Sequence, residues 1–224
     1  LALRHADDAI LAAREARLSG HVSVGMAPST ASVLGVPFIN AMRESYPDVR
    51  LHLVESLSGN LERMINTRQL DLAIVFQQEK ILRWSARPVL EERLFLIGTH
   101  ALLAPLQEDH ISPDQLTSLP LIMPSQGHGL RGRLEEVCQQ HHLSVEVVAD
   151  IDGLALLMQA VRSGLGATLQ PGAAISHLDH QALRVIDVVN PILSRPNFLV
   201  SLSDDELTPA GLAAQQSHAP AGGV

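Results

Sequence analysis

The chain holds 224 residues, 46% of them hydrophobic, enough for one large domain or two small ones, each with its own core. A net charge of −8 and 3% aromatics provide neither a basic face for phosphates nor stacking platforms for single strands, so this piece is a poor candidate for holding nucleic acid alone. No apolar run approaches the ~20 residues of a membrane span, and the single cysteine, Cys138, rules out an internal disulfide and a cysteine-based zinc site.

A pocket or a protein interface is then the expected functional surface, and the lone thiol fits a reducing cytoplasm. The chain opens at Leu1 on an amphipathic stretch with Asp7, Asp8 and Glu15, unlike a secretory signal. The start without Met leads us to expect further protein upstream. Residues 1–18 read as a helix: Leu3, Ala6, Ile10 and Ala13 form a short heptad-like stripe. That stripe suits either a surface helix on its own domain or an intermolecular helix, and Gly20 ends it.

Strands and helices then alternate. His21–Met26 places Val22, Val24 and Met26 on one strand face. A helix is expected from about Ser32 to Ser45, with Pro37 near its start. Tyr46-Pro47-Asp48 turns the chain into a strand at Val49–Val54, and a helix follows from about Asn60 with Leu61, Met64 and Ile65 inward. Leu72–Phe76 is nearly all apolar, as suits a parallel strand covered on both faces. Leu94–Ile97 is a further short strand.

After His100 the pattern restarts. Ser112-Pro113-Asp114-Gln115 reads as a capping box with Pro at the first helical position. Leu121–Met123 is a strand, Leu130–His141 a helix, and Val145–Val148 a strand. Asp152 is expected to cap a helix closed by Gly164. Ala167–Leu169, Arg184–Val188 and Phe198–Leu202 complete the strands, and the tail past His218 looks disordered. Two βαβ-rich blocks imply two small α/β domains. If the last strand returns to the first block, the chain crosses twice, near Gly98–His100 and Asp187–Pro196, and a hinge and a cleft result.

Several segments together resemble a family. Leu18-Ser19-Gly20-His21-Val22-Ser23-Val24-Gly25 looks like the junction opening the effector domain of LysR-type transcriptional regulators. Pro37-Phe38 with Tyr46-Pro47-Asp48-Val49 resembles their first helix and its exit. Leu61-Glu62 through Leu70-Asp71-Leu72-Ala73-Ile74 is similar to their L…L…G.lDlAi segment, with Arg68-Gln69 where Gly is commoner. Val161-Arg162-Ser163-Gly164-Leu165-Gly166-Ala167, then Pro171, matches their V.aGlGva.lP signature. Within the family, residues 25–32, 54–59 and 96–99 look most like the nitrogen assimilation control branch, some members of which need no effector.

The resemblance implies two Rossmann-like α/β subdomains joined by two crossover segments, a periplasmic-binding-protein-like fold preceded by part of a linker helix. On that plan residues 1–18 end the linker and dimerisation helix. Residues 20–98 with 192–210 form subdomain I, 99–191 form subdomain II, and 211–224 are a disordered tail. It also implies a cytoplasmic regulator, homodimeric or homotetrameric, that senses a small molecule in the cleft and controls DNA through an N-terminal winged helix-turn-helix. No enzyme activity, cofactor or metal is expected. An extracytoplasmic solute-binding protein shares the two-crossover plan and stays open as an alternative.

The other alternative is a dinucleotide-dependent enzyme. Gly127-His128-Gly129-Leu130-Arg131-Gly132 is a full G-x-G-x-x-G between a strand and a helix, and Asp150 ends the next strand where a ribose-binding acid would sit. Pro124 breaks the strand too early for that fingerprint, and a cleft loop is the plainer reading. Ser29 and Thr30 stand where a strand meets a helix start, able to cap the helix or to meet an anion or carbonyl. Ser125 and Gln126 occupy the equivalent turn of the second block. By the resemblance, effector contact falls on these four, with Thr99 a lesser candidate. Asp152 either caps its helix or faces the cleft, disfavouring an anionic effector and favouring a neutral or amino-bearing one. His177 and His180 lack a third metal ligand. Glu91-Glu92, Glu135-Glu136 and Asp204-Asp205 are expected as solvated surface.

Overall fold

The computed structural model describes residues 19–76, 84–174, 182–201 and 207–217. The stripe at 1–18, the His177/His180 pair, Asp204-Asp205 and the end of the tail lie outside the described residues. The first half starts with strand β1 (Gly20–Met26), helix α1 (Pro28–Ser45), β2 (Val49–Glu55), α2 (Ser58–Asn66) and β3 (Leu72–Val75). β1 pairs in parallel with both β2 and β3. Every residue of β3 is buried, because it lies inside the sheet between β1 and β10 with apolar side chains packed on both faces. α1 begins at Pro28, earlier than the expected Ser32. Pro28 is itself the start signal, since a ring that has no N–H loses nothing at the first helical position.

A long strand β4 (Ser85–Thr99) then runs through both halves. Its first part, up to Arg93, pairs antiparallel with β10 (Ser194–Ser201), which also pairs with β3. From Leu94 onward it pairs with β8 (Thr168–Pro171) and β9 (Leu183–Val188). The first crossing therefore lies at Arg93–Leu94, not at Gly98–His100, and Leu94–Ile97 belong to the second half. The return crossing runs through residues 189–193, between β9 and β10. The second half also holds β5 (His110–Ile111), β6 (Pro120–Met123), α3 (Gly129–Gln140), β7 (Glu146–Asp150) and α4 (Leu154–Arg162). Ser112 and Gln115 form the capping box, on a short 3-10 helix.

Residues 211–217, expected within a disordered tail, instead form helix α5 (Pro209–Ser217) with the two residues before them. Ala210, Ala213 and Ala214 make a small apolar stripe at helical spacing, and Gln215 Nε2 donates to Ser201 Oγ at 3.0 Å. Among the described residues, each half carries a core on both faces of its sheet. Val22, Met26, Phe38 and Ile74 meet Ala210 and Ala214 on one face of the first sheet, and Leu61, Ile65 and Val200 pack on the other. Leu96, Leu121, Leu134 and Ile186 form the corresponding core beside α3, and Ile122, Leu157 and Val161 the one beside α4. Trp84 packs on the α2 core and donates from Nε1 to Asn66 Oδ1 at 2.7 Å.

Candidate functional site

Four helices begin at the cleft between the halves. Their N-cap residues are Ala27 (α1), Leu57 (α2), His128 (α3) and Gly153 (α4), and none closes its helix with a side-chain hydrogen bond. First-turn N–H groups have no regular partner inside a helix, and apart from Asn60, whose N–H meets the Leu57 carbonyl at 2.9 Å, these ends offer donors with the positive end of each macrodipole behind them. Residues of all four starts line a cavity of about 30 Å³: Pro28 and Ser29, Ser58, Gly129, and Asp152 with Leu154. That is room for roughly two waters.

Arg195, on β10, forms the floor. Only 3% exposed, its guanidinium stacks 3.5 Å above the Phe76 ring centroid. Nη2 donates to Ser29 Oγ at 2.8 Å and Nε to Glu92 Oε2 at 2.9 Å. Asn197 Nδ2 donates to the same carboxylate oxygen at 3.1 Å. Arg195 and Glu92 are direct cross-strand partners on the two crossover strands. Burial pulls the Arg195 pKa below its ordinary value, and the Glu92 charge and hydrogen bond work against that fall. Glu92 is thus not solvated surface but the counter-ion of a buried cation. Its neighbour Glu91 accepts from Ser194 Oγ.

Asp152 also lines the cavity, but it does not cap α4, whose N-cap is Gly153. Its Oδ1 accepts from the Ser125 N–H and from Ser125 Oγ, both at 2.8 Å. The Ser125 N–H is the main reason that the carboxyl titrates below its ordinary value; burial opposes it, and the Ser125 hydroxyl and His128 assist. Ser125 acts through Asp152 and does not line the cavity. Gln126 lies outside, exposed, donating to Glu135 at 3.3 Å. Thr99, at the end of β4, accepts from the Leu102 N–H at 3.2 Å and caps that turn. Thr30 is buried beneath Ser29, and its Oγ1 has no partner.

Of the six expected site residues, the structure puts Ser29 and Asp152 at the cavity. Sequence reasoning missed Arg195, Ser58, Phe76, His128 as a side chain, and Gln170. Arg195 did leave a trace: it shares a buried strand face with Asn197 and Leu199, two apart, where an apolar residue is the rule. Ser58 Oγ and His128 Nδ1 are buried without hydrogen-bond partners.

The glycine motif is a contact between halves. β6 ends at Met123, well before Gly127, whose φ is +87°. A Cβ on Gly59 would stand 2.7 Å from the Gly127 carbonyl oxygen, and one on Gly129 would stand 3.1 Å from Phe76 Cβ. Asp150, the would-be ribose acid, is held by Arg131 at 3.0 Å, and Arg131 also pairs with Glu135 at 2.8 Å. Glu136 in turn pairs with Arg133 at 2.5 Å, so neither acid of that doublet stands alone. Two wider grooves adjoin the cavity. One of about 340 Å³ shares Pro28 and Leu154 with it, and one of about 590 Å³ shares Gly129 and Arg195.

Residues 15–215 match the family model described as the LysR substrate binding domain. The chain is 30% identical over 219 residues to the nitrogen assimilation regulatory protein nac of Escherichia coli (strain K12), covering 95% of this chain and 68% of that protein. It is 30% identical over 179 residues to the protein of that name from Klebsiella aerogenes, covering 79% and 57%. The chain thus spans about two thirds of one relative and just over half of the other. In fold it is similar to the effector binding domain of QuiR in complex with shikimate, with a TM-score of 0.80, 19% identity, and coverage of 90% of this chain and 96% of that one.

Proposed function

Because this chain belongs to the LysR substrate-binding domain family, we propose that its cleft senses a small molecule and that closure on it alters how copies of the chain pack. A homodimer or homotetramer in the cytoplasm, joined through residues 1–18 to an N-terminal winged helix-turn-helix, would pass that change to DNA. The family favours this reading over an extracytoplasmic solute-binding protein, and Arg131 leaves the dinucleotide reading without its ribose acid. Among the described residues no helix is long and apolar enough to cross a membrane.

The observation that carries the proposal is Arg195. A buried guanidinium with its counter-ion on the opposite crossover strand lines the same cavity as four helix starts without side-chain caps, so polar groups of both halves face one space. A ligand bound by both bodies favours the closed form only by its differential affinity for that form. We expect a cognate small molecule to raise the melting temperature of the chain and to reduce its radius of gyration in solution scattering. Arg195→Ala should abolish both. A ligand that stabilises Arg195→Ala as much as the parent would place sensing elsewhere.

A further inference from the structure

We propose that the cleft is built for a small zwitterion, whose carboxylate meets the first turn of α2 at Ser58 and whose ammonium meets Asp152. This rests on the cleft being the sensing site. The charge balance is the first reason. Arg195 and Glu92 neutralise each other within hydrogen-bond distance, at 2.8 Å. Asp152 is the remaining carboxylate at the cavity, so its wall is net negative where that side chain stands. A plain carboxylate would enter against that charge.

The opposite end wants an anion. Ser58 is 2% exposed, lines the cavity, and its hydroxyl has no partner. It is the first residue of α2, a nine-residue helix whose N-cap, Leu57, has no side chain to accept the first-turn N–H groups. The Asn60 N–H already turns back to the Leu57 carbonyl at 2.9 Å, so the hydroxyl and the first two amides of the helix remain as donors, and a carboxylate offers them two oxygens. A plain amine would leave them unsatisfied.

The ammonium end is equally specific. Ser125 engages only Oδ1 of Asp152, with both its N–H and its hydroxyl, so the carboxylate is fixed in place and Oδ2 can accept. The small cavity limits the head of the ligand. Its side chain leaves past Pro28 and Leu154 into the 340 Å³ groove, lined by Ala155, Met158 and Ala174 together with Glu55 and Arg162. A small α-amino acid meets all these terms.

Calorimetric titration of the purified chain with L-alanine, L-lactate and ethylamine tests this. L-alanine should bind at least tenfold more tightly than either of the others, which lack the ammonium and the carboxylate respectively. Asp152→Asn should reverse the order of L-alanine and L-lactate. Ser58→Ala should weaken both by a similar factor, with the melting temperature of each variant confirming that it folds. L-lactate binding the parent as tightly as L-alanine, or no binding by any of the three, overturns the proposal. Shikimate, a carboxylate without an ammonium, separates the two levels. If it binds and Ser58→Ala abolishes that binding while L-alanine fails, the cleft stands as a sensor and the zwitterion does not. If neither these probes nor a broad metabolite library raises the melting temperature, the sensing role falls as well.

Discussion

At the residue scale, the Arg195–Glu92 pair carries the most consequence. Removing one partner of a buried ion pair leaves an uncompensated charge, and such losses amount to about 3–5 kcal/mol. Arg195→Ala should destabilise the chain by that order in urea unfolding, and a double-mutant cycle with Glu92→Gln should show strong coupling. A loss below about 1 kcal/mol would mark the pair as one that water screens. Asp152 gives a pH signature. Its folded pKa is depressed, so the stability it contributes is fully present above the unfolded value of about 3.9 and is lost as pH falls through the folded value. The parent should therefore outlast Asp152→Asn in urea at neutral pH, and the gap should shrink steadily below pH about 4. A gap that grows on acidification would contradict the Ser125 hydrogen bonds as its source.

At the scale of elements, the regular strands and helices of each half were legible because apolar residues repeat at two or at three and four. What stayed hidden was the polar part of the hinge. Ser85–Arg93 reads as Ser-Ala-Arg-Pro-Val-Leu-Glu-Glu-Arg, with no buried residue before Leu94, so nothing in its pattern marks a strand. Its pairing comes from β10, more than a hundred residues away. Arg195 was missed for the same reason. The loop motif was legible as a motif but misleading as chemistry, since its glycines serve contact between halves. That contact makes a prediction: Gly59→Ala places a methyl 2.7 Å from a backbone oxygen that cannot rotate away. We expect this variant to retain its far-ultraviolet circular dichroism, to show a larger radius of gyration, and to bind any cleft ligand more weakly. An unchanged radius would mean that the halves rearrange without opening.

At the scale of the molecule, 24 acidic against 16 basic side chains predict that the isolated chain gives no sequence-specific mobility shift with DNA at physiological salt. A tight, specific shift would assign DNA contact to this chain itself. Two halves with separate cores, between which the described chain crosses in β4 and through 189–193, invite the question of whether they unfold together. The chain answers it with its own optics. Its one tryptophan, Trp84, and its one tyrosine, Tyr46, both report from the first half, and Trp84 is anchored there by Asn66. Intrinsic emission is therefore blind to the second half, whereas ellipticity sums over both. If ligand ties the halves into one cooperative unit, the emission and ellipticity midpoints should coincide when it is bound and separate when it is removed.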